Sequence, residues 1–159
     1  MIKVISNTTP ILTLLKISRL DILKKLFKKI IIPFGVYEEI EAGKNKEFYV
    51  DLKSINWIEI ENIKEDRELL FELDKGEAET IILAKEIKAD LVLLDEKLGR
   101  KYAKMYDLRV AGTLGVLIEA KKKGIVENLN ITIENMKSKG IWLSEKIIQE
   151  VLRKGANDI

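Results

Sequence analysis

The sequence contains no histidine and no cysteine. Without cysteine, the chain cannot form a disulfide, a thiolate nucleophile, an iron–sulfur cluster or a cysteine-rich zinc site. Without histidine, it cannot build a Ser-His-Asp or Cys-His catalytic centre. An enzyme made from this chain would therefore rely on carboxylates, lysine, tyrosine, serine or threonine, together with a hard metal ion that prefers oxygen ligands.

Long apolar runs and a strong charge imbalance are also missing. No stretch approaches the ~20 apolar residues that are needed to span a bilayer, and Met1–Ile5 leads into polar residues rather than a signal peptide. The 28 Lys and Arg residues nearly balance the 26 Asp and Glu residues, so the net charge of +2 does not by itself indicate a nucleic-acid partner. We expect a soluble, cytoplasmic protein with no membrane partner.

The chain has 159 residues and neither a linker-like segment nor an internal repeat, so we expect a single domain over residues 1–159. Short β-branched runs alternate with amphipathic stretches, which is typical of an α/β sheet. The predicted strands are Ile2–Ser6, Ile30–Pro33, Trp57–Ile60 at a sheet edge, Leu91–Leu94 and a short strand near Arg109–Ala111. The predicted helices start at Pro10 with Thr9 as N-cap, and then cover about 20–27, 34–42 with Gly43 as a left-handed cap, 65–73, 77–87, 98–106, 114–123, 131–138 and 145–154.

Two polar residues directly follow buried strands. Asn7 comes after the first strand, and Asp95 comes after the fourth. Ligands of such sheets bind beyond the carboxyl ends of the strands, where a carboxylate can hold a divalent cation. Asp95 is equally well interpreted as the N-cap of the following helix, with Glu96 favouring the same helix dipole.

Three further acids lie on predicted helices. Asp74 and Glu77 have the spacing of a capping box, so Glu77 is either a capping residue or an acid of the site. Glu38 and Glu39 lie beside the apolar stripe of their helix, where each would face either solvent or the crevice.

The order of these features resembles the PIN-domain nuclease family. A polar residue follows the first strand, an acid lies on a helix, a second acid begins a helix, and a third follows a later strand. The matching segments are Val4–Pro10, Ile32–Ile40, Gly76–Ala84 and Ala89–Glu96. Gly112–Leu117, followed by Ala120, Lys121 and Gly124, resembles the prokaryotic PIN branch that is labelled a domain of unknown function. VapC-type toxins are the best-known small members of the family.

The resemblance implies a three-layer α/β/α fold with a mainly parallel sheet in the strand order 3-2-1-4-5. It also implies Mg²⁺- or Mn²⁺-dependent cleavage of single-stranded RNA, a toxin role beside a small antitoxin protein, and a homodimer. Carried over by motif, the catalytic and metal-binding positions are Asn7, Glu39, Glu77 and Asp95, with Glu96 as a further metal ligand and Glu38 competing with Glu39. Thr8 and Thr113 would line the pocket, or else cap helices.

Position 7 departs from the family pattern, because PIN enzymes place aspartate where this chain has Asn7. The amide oxygen can still coordinate a cation, but it brings no negative charge and cannot act as a base. We therefore expect weaker metal binding, slower turnover and a preference for Mn²⁺. The alternative is a catalytically degenerate module that binds RNA or protein. A receiver-like domain with Asp95 as phosphoacceptor is the third interpretation. Such a domain requires an acidic pair after the first strand, and this chain has none there.

Two groups of lysines are candidates for tracking RNA phosphates. They are Lys24, Lys25, Lys28 and Lys29, which share one helical face around Phe27, and Lys121–Lys123 at the end of another helix. The alternative is that both groups are solvated surface, with the second complementing a helix C-terminus.

Overall fold

Apolar side chains alternate between the two faces of the central strands, so both faces of the sheet are buried. The computed structural model describes residues 2–65 and 72–156. Its strands are β1 (Val4–Ser6), β2 (Ile30–Pro33), β3 (Ile58–Glu61), β4 (Leu91–Leu93) and β5 (Val110–Ala111). All strand pairs are parallel and the order is β3-β2-β1-β4-β5, which confirms the predicted fold class and strand order and leaves β3 at an edge.

Helices connect and cover the strands. They are α1 (Thr8–Lys16), α2 (Asp21–Phe27), α3 (Phe34–Glu41), α4 (Lys75–Glu86), α5 (Lys97–Met105), α6 (Thr113–Lys122), α7 (Leu129–Ser138) and α8 (Glu145–Ala156), with a 3-10 turn at Leu52–Ser54. The helix predicted over 65–73 falls largely on 66–71, outside the described residues. Among the helices of the described ranges, none is both long enough and apolar enough to cross a membrane.

The sheet lies between two helical layers. On one face, Ile5 and Val92 pack with Ile81 of α4 and Ala103 of α5. On the other face, neighbouring strand residues pack against α1, α2, α6, α7 and α8. The middle strands β1 and β4 are therefore covered on both sides.

The caps predicted for the first and third helices are wrong. The first helix begins at Thr8 with Asn7 in the N-cap position, two residues earlier than predicted. The third helix ends at Glu41, and Gly43 is not left-handed, because its N–H reaches back to Ile40 in an ordinary tight turn. The glycines with positive φ are Gly124 and Gly140, which follow α6 and α7.

Candidate active site

The carboxyl ends of β1 and β4 bring three chain segments together. Asn7 follows β1, Asp95 and Glu96 follow β4, and Glu77 lies in the first turn of α4. The backbone N–H of Asn7 donates to the carbonyl of Leu93 at 2.9 Å, which fixes the two strand ends side by side. The sequence-predicted acids of β4 and α4 are thus neighbours of Asn7 in space.

Asn7 and Glu96 are directly hydrogen-bonded. The Asn7 side chain is buried, and its Nδ2 donates to Glu96 Oε2 at 3.1 Å. The second carboxylate oxygen of Glu96 accepts a hydrogen bond from Thr9 Oγ1 at 2.6 Å. Glu96 is therefore held by a residue of α1. The amide of Asn7 also faces Glu96, at the position where the PIN pattern has the carboxylate of an aspartate.

Glu77 is a buried acid with a strongly raised pKa. Burial is the largest cause, followed by the hydrogen bond and negative charge of Asp74 and then by the negative charge of Glu96, and together they raise the pKa of Glu77 to about 8. The backbone N–H of Glu77 also donates to Asp74 Oδ1 at 2.8 Å, so Asp74 is the N-cap of α4 as predicted. Glu77 consequently carries a proton at neutral pH when no cation is bound.

Asp95 is bound to the start of α6. The backbone N–H of Thr113 donates to Asp95 Oδ1 at 2.8 Å, and Thr113 Oγ1 donates to Asp95 Oδ2 at 2.6 Å. Asp95 therefore does not cap α5, whose N-cap position is taken by Glu96 without a side-chain capping bond. A carboxylate has about four lone-pair sites, so two of them stay available on Asp95 for a cation or water.

An unpartnered polar atom lies beside this cluster. Thr8 Oγ1 is buried and has no hydrogen-bond partner among the described residues. A Cβ placed on Gly76 would lie 3.6 Å from Thr8 Oγ1 and 3.5 Å from Asn7 Oδ1, so both oxygens face the same point at the start of α4. A buried hydroxyl without a partner is costly, and a bound water or ion would satisfy it.

Glu38 and Glu39 point in different directions because successive helical residues are about 100° apart. Glu38 Oε1 accepts a hydrogen bond from Lys75 Nζ at 2.8 Å, at the start of α4. Glu39 instead lies beside Lys46 and Tyr49, in a groove between α1 and the loop after α3. The structure thus places Glu38 next to α4 and Glu39 at the groove beside α1.

Sequence reasoning missed a second buried acid of α4. Glu79 Oε1 accepts the backbone N–H of Gly35 at 2.9 Å, at the start of α3. A Cβ at position 35 would come within 2.9 Å of the Glu79 carboxylate, so a larger residue would displace that side chain. Gly35 following Pro33 at a helix start was the available signal, since close approach to a neighbouring element requires glycine. Glu79 therefore binds α4 to α3 and does not face the candidate site.

The donor atoms of the site suit a hard divalent cation. Within residues 2–65 and 72–156, no three acidic side chains form a complete metal-ligand group. Glu77, Glu96 and the Asn7 amide oxygen offer a smaller all-oxygen set, and the unpartnered Thr8 hydroxyl lies beside it. Since Mg²⁺ usually keeps several waters and takes only one or two carboxylates, this set fits such an ion.

The match to a protein-family model agrees with this architecture. The family model described as a PIN domain matches residues 3–157. No curated protein matches the chain. A solved domain of a functionally unknown protein from Methanocaldococcus jannaschii DSM 2661 is 23% identical, with 70% of this chain and 91% of that chain covered and a TM-score of 0.43. Because the family model spans nearly the whole chain, this protein belongs to the PIN-domain family.

Proposed function

We propose that this protein is a metal-dependent endoribonuclease that cleaves single-stranded RNA at the Asn7, Glu77, Asp95 and Glu96 cluster. PIN domains have a nuclease-like fold and generally use divalent metal ions. The observation that supports the proposal most strongly is the buried carboxyl of Glu77, placed between the negative charges of Asp74 and Glu96. A buried acid beside other negative charges gains the most free energy when a cation replaces its proton.

The residues of this chain would divide the work as follows. Glu77, Glu96 and Asn7 Oδ1 would hold Mg²⁺ or Mn²⁺, and Thr8 Oγ1 would bind a water of the ion. When bound, the ion supplies an acidified water and neutralises charge on the phosphate. Thr113 fixes both oxygens of Asp95, so that this carboxylate can accept a proton from water at a defined position.

Asn7 would make this centre a weak one. An amide in place of a carboxylate removes one negative charge from the ligand set, and the Asn7 Nδ2 hydrogen bond already satisfies one oxygen of Glu96. A cation must compete with that bond and with the proton on Glu77. We therefore propose that Mn²⁺, which binds N/O sites more tightly than Mg²⁺ in most proteins, supports the faster reaction.

A cleavage assay with matched variants tests the proposal. A 5′-labelled single-stranded RNA is incubated with wild type, Glu77→Gln or Glu127→Gln in Mn²⁺, Mg²⁺ or EDTA. Glu127 is an exposed acid far along the chain from the cluster, so it serves as the control. We expect cleavage by wild type and Glu127→Gln in Mn²⁺, at least ~100-fold less by Glu77→Gln, and none in EDTA. Cleavage that Glu77→Gln leaves unchanged would contradict the proposal.

A catalytically degenerate RNA- or protein-binding module is the second candidate, and a specific contact favours it. The hydrogen bond from Asn7 to Glu96 joins the two strand ends, which is a structural role that does not depend on catalysis. A protein that binds the RNA in EDTA and in Mn²⁺ alike, with no cleavage in either, would be this module.

The toxin role, the antitoxin and the homodimer stay predictions. If the nuclease acts as a toxin, induced expression of wild type should arrest growth, whereas expression of Glu77→Gln should not. The same cells would show the antitoxin as a small protein whose co-expression restores growth. The size of the purified protein in solution tests the homodimer.

A further inference from the structure

We propose that one face of α5, made by Lys97, Arg100, Lys101 and Lys104, is the surface on which single-stranded RNA binds through its phosphates. This α5 basic face names a substrate-binding surface for the proposed nuclease, so it rests on that function. It differs from both lysine groups that the sequence suggested.

The four cations lie along one side of a single helix. Positions 97, 100, 101 and 104 are separated by three, four and seven residues, which places them on a common helical face. Seven residues of helix extend over about 10 Å, which is the length of about three stacked nucleotides of one strand. The face therefore has the dimensions of a short piece of nucleic-acid backbone.

None of the four cations forms an ion pair with another described residue. No ion pair within residues 2–65 and 72–156 involves Lys97, Arg100, Lys101 or Lys104. The lysine groups suggested by the sequence differ, because Lys25 pairs with Asp21, Lys29 with Glu59 and Lys123 with Glu119. Since the net charge of the whole chain is only +2, an unpaired basic face is a local feature that favours an anionic partner.

The α5 basic face begins at the acidic cluster. A cleft of about 710 Å³ is lined by Asp95, Lys97, Leu98, Arg100, Lys101 and Lys104. Arg100 Nη1 and Asp95 Oδ1 lie 3.3 Å and 2.7 Å from the point where a Cβ on Gly112 would be. A strand that contacts the basic face would therefore reach the carboxylates, and the lysines would offset the repulsion between those acids and the phosphates.

RNA binding measured without metal separates this inference from the proposed catalysis. The probe is a fluorescent 15-nucleotide single-stranded RNA, and its anisotropy is followed in EDTA at several salt concentrations. The test variant is the triple Lys97→Ala, Lys101→Ala, Lys104→Ala. The control is the triple Lys24→Ala, Lys122→Ala, Lys146→Ala, which removes three exposed lysines without ion pairs in the described structure and changes the net charge equally.

We expect the α5 triple variant to raise the Kd at least ~10-fold and to reduce the salt slope by about 2, from about 0.7 for each lost phosphate contact. The control should stay within about threefold of wild type. Equal losses in the two triple variants, no loss in the α5 variant, or a wild type that does not bind the RNA would each overturn the inference. So would equally effective competition by polyglutamate, which would indicate an acidic protein partner.

The two proposals can fail separately. Loss of RNA binding in the α5 variant, with no cleavage by wild type in any metal, keeps the binding surface and removes the nuclease. Metal-dependent cleavage by wild type, with normal RNA binding by the α5 variant, keeps the nuclease and removes the binding surface. Far-UV circular dichroism verifies that the alanine variants are folded, and alanine is the best helix former at these exposed positions.

Discussion

Asn7 and Glu96 show how a single amide changes an acidic centre. Asn7 Nδ2 lies 3.1 Å from Glu96 Oε2 and donates a hydrogen bond to it, so a favourable contact holds the ends of β1 and β4 together. An aspartate at position 7 would place two carboxylates at that distance. Their repulsion would persist until a proton or a cation neutralised it.

The stability of Asn7→Asp without metal tests this residue-level argument. In EDTA, we expect the substitution to lower the free energy of unfolding by about 1–3 kcal/mol, because a buried hydrogen bond is replaced by a repulsive pair. In saturating Mn²⁺ most of this loss should be recovered. Urea denaturation measures both values. Asn128→Asp is the control, because Asn128 is an exposed N-cap of α7, a role that aspartate fills equally well.

Glu77 predicts a pH dependence of stability. Its pKa is about 8 in the folded protein, against an ordinary value of 4.5. Between these values the folded state keeps a proton that the unfolded state has released, so the free energy of unfolding should fall as the pH rises from about 5 to about 8. Glu77→Gln should flatten this slope in urea titrations carried out without metal. Parallel slopes in the two proteins would show that other groups cause the dependence.

At the scale of elements, α5 packs unusually close to the candidate site. A Cβ on Gly99 would lie 2.8 Å from Glu77 Oε2 and 3.1 Å from a Leu94 methyl group, so a larger residue there would displace both side chains. The helix that carries the α5 basic face is therefore positioned against the buried acid.

Gly99→Ala should separate these elements. We expect it to cost about 1–3 kcal/mol of stability by overpacking and to reduce Mn²⁺-dependent RNA cleavage, since Glu77 must move. Gly115→Ala in α6 is the matched control, because its nearest neighbour atom would be 4.0 Å away. In a helix interior that change should stabilise by about 0.5–1 kcal/mol. Thermal denaturation and the cleavage rate report on both variants, and equal behaviour of the two would contradict the close packing.

The elements also show what local sequence can and cannot specify. Ile30–Pro33 is apolar at every position and was predicted with its correct bounds, because a strand buried on both faces has that pattern. Asp74 as the N-cap of α4 followed from residue spacing alone. The bond between Asp95 and Thr113 joins residues 18 apart across β5, and no local pattern specifies such a pairing. The ion pair between Glu38 and Lys75 likewise depends on how α3 and α4 lie in space.

At the scale of the whole molecule, apolar packing and not ion pairing holds the fold. Two buried clusters cover the two faces of the sheet. The ion pairs of the described residues lie at the surface, where each contributes at most about 1 kcal/mol. Salt should therefore act on RNA binding far more than on folding.

Salt titration of both properties tests this contrast. From 50 to 200 mM NaCl, we expect the free energy of unfolding to change by less than about 1 kcal/mol. Over the same range the affinity for single-stranded RNA should fall about 50-fold, if the four cations of the α5 basic face each release about 0.7 counterion. A large change in the free energy of unfolding with a constant RNA affinity would contradict the proposal that the cations of the α5 basic face bind RNA.

The rate of Mn²⁺-dependent cleavage by wild type and Asn7→Asp tests whether the cluster around Asn7, Glu77 and Glu96 is a metal-dependent ribonuclease centre. Both proteins are assayed on the same labelled single-stranded RNA, over a range of Mn²⁺ concentrations and with an EDTA blank. The account predicts slow cleavage by wild type, at least ~10-fold faster cleavage by Asn7→Asp with half-saturation at lower Mn²⁺, and none in EDTA. Cleavage by neither protein, although both bind the RNA, would contradict a metal-dependent ribonuclease centred on Glu77 and Glu96.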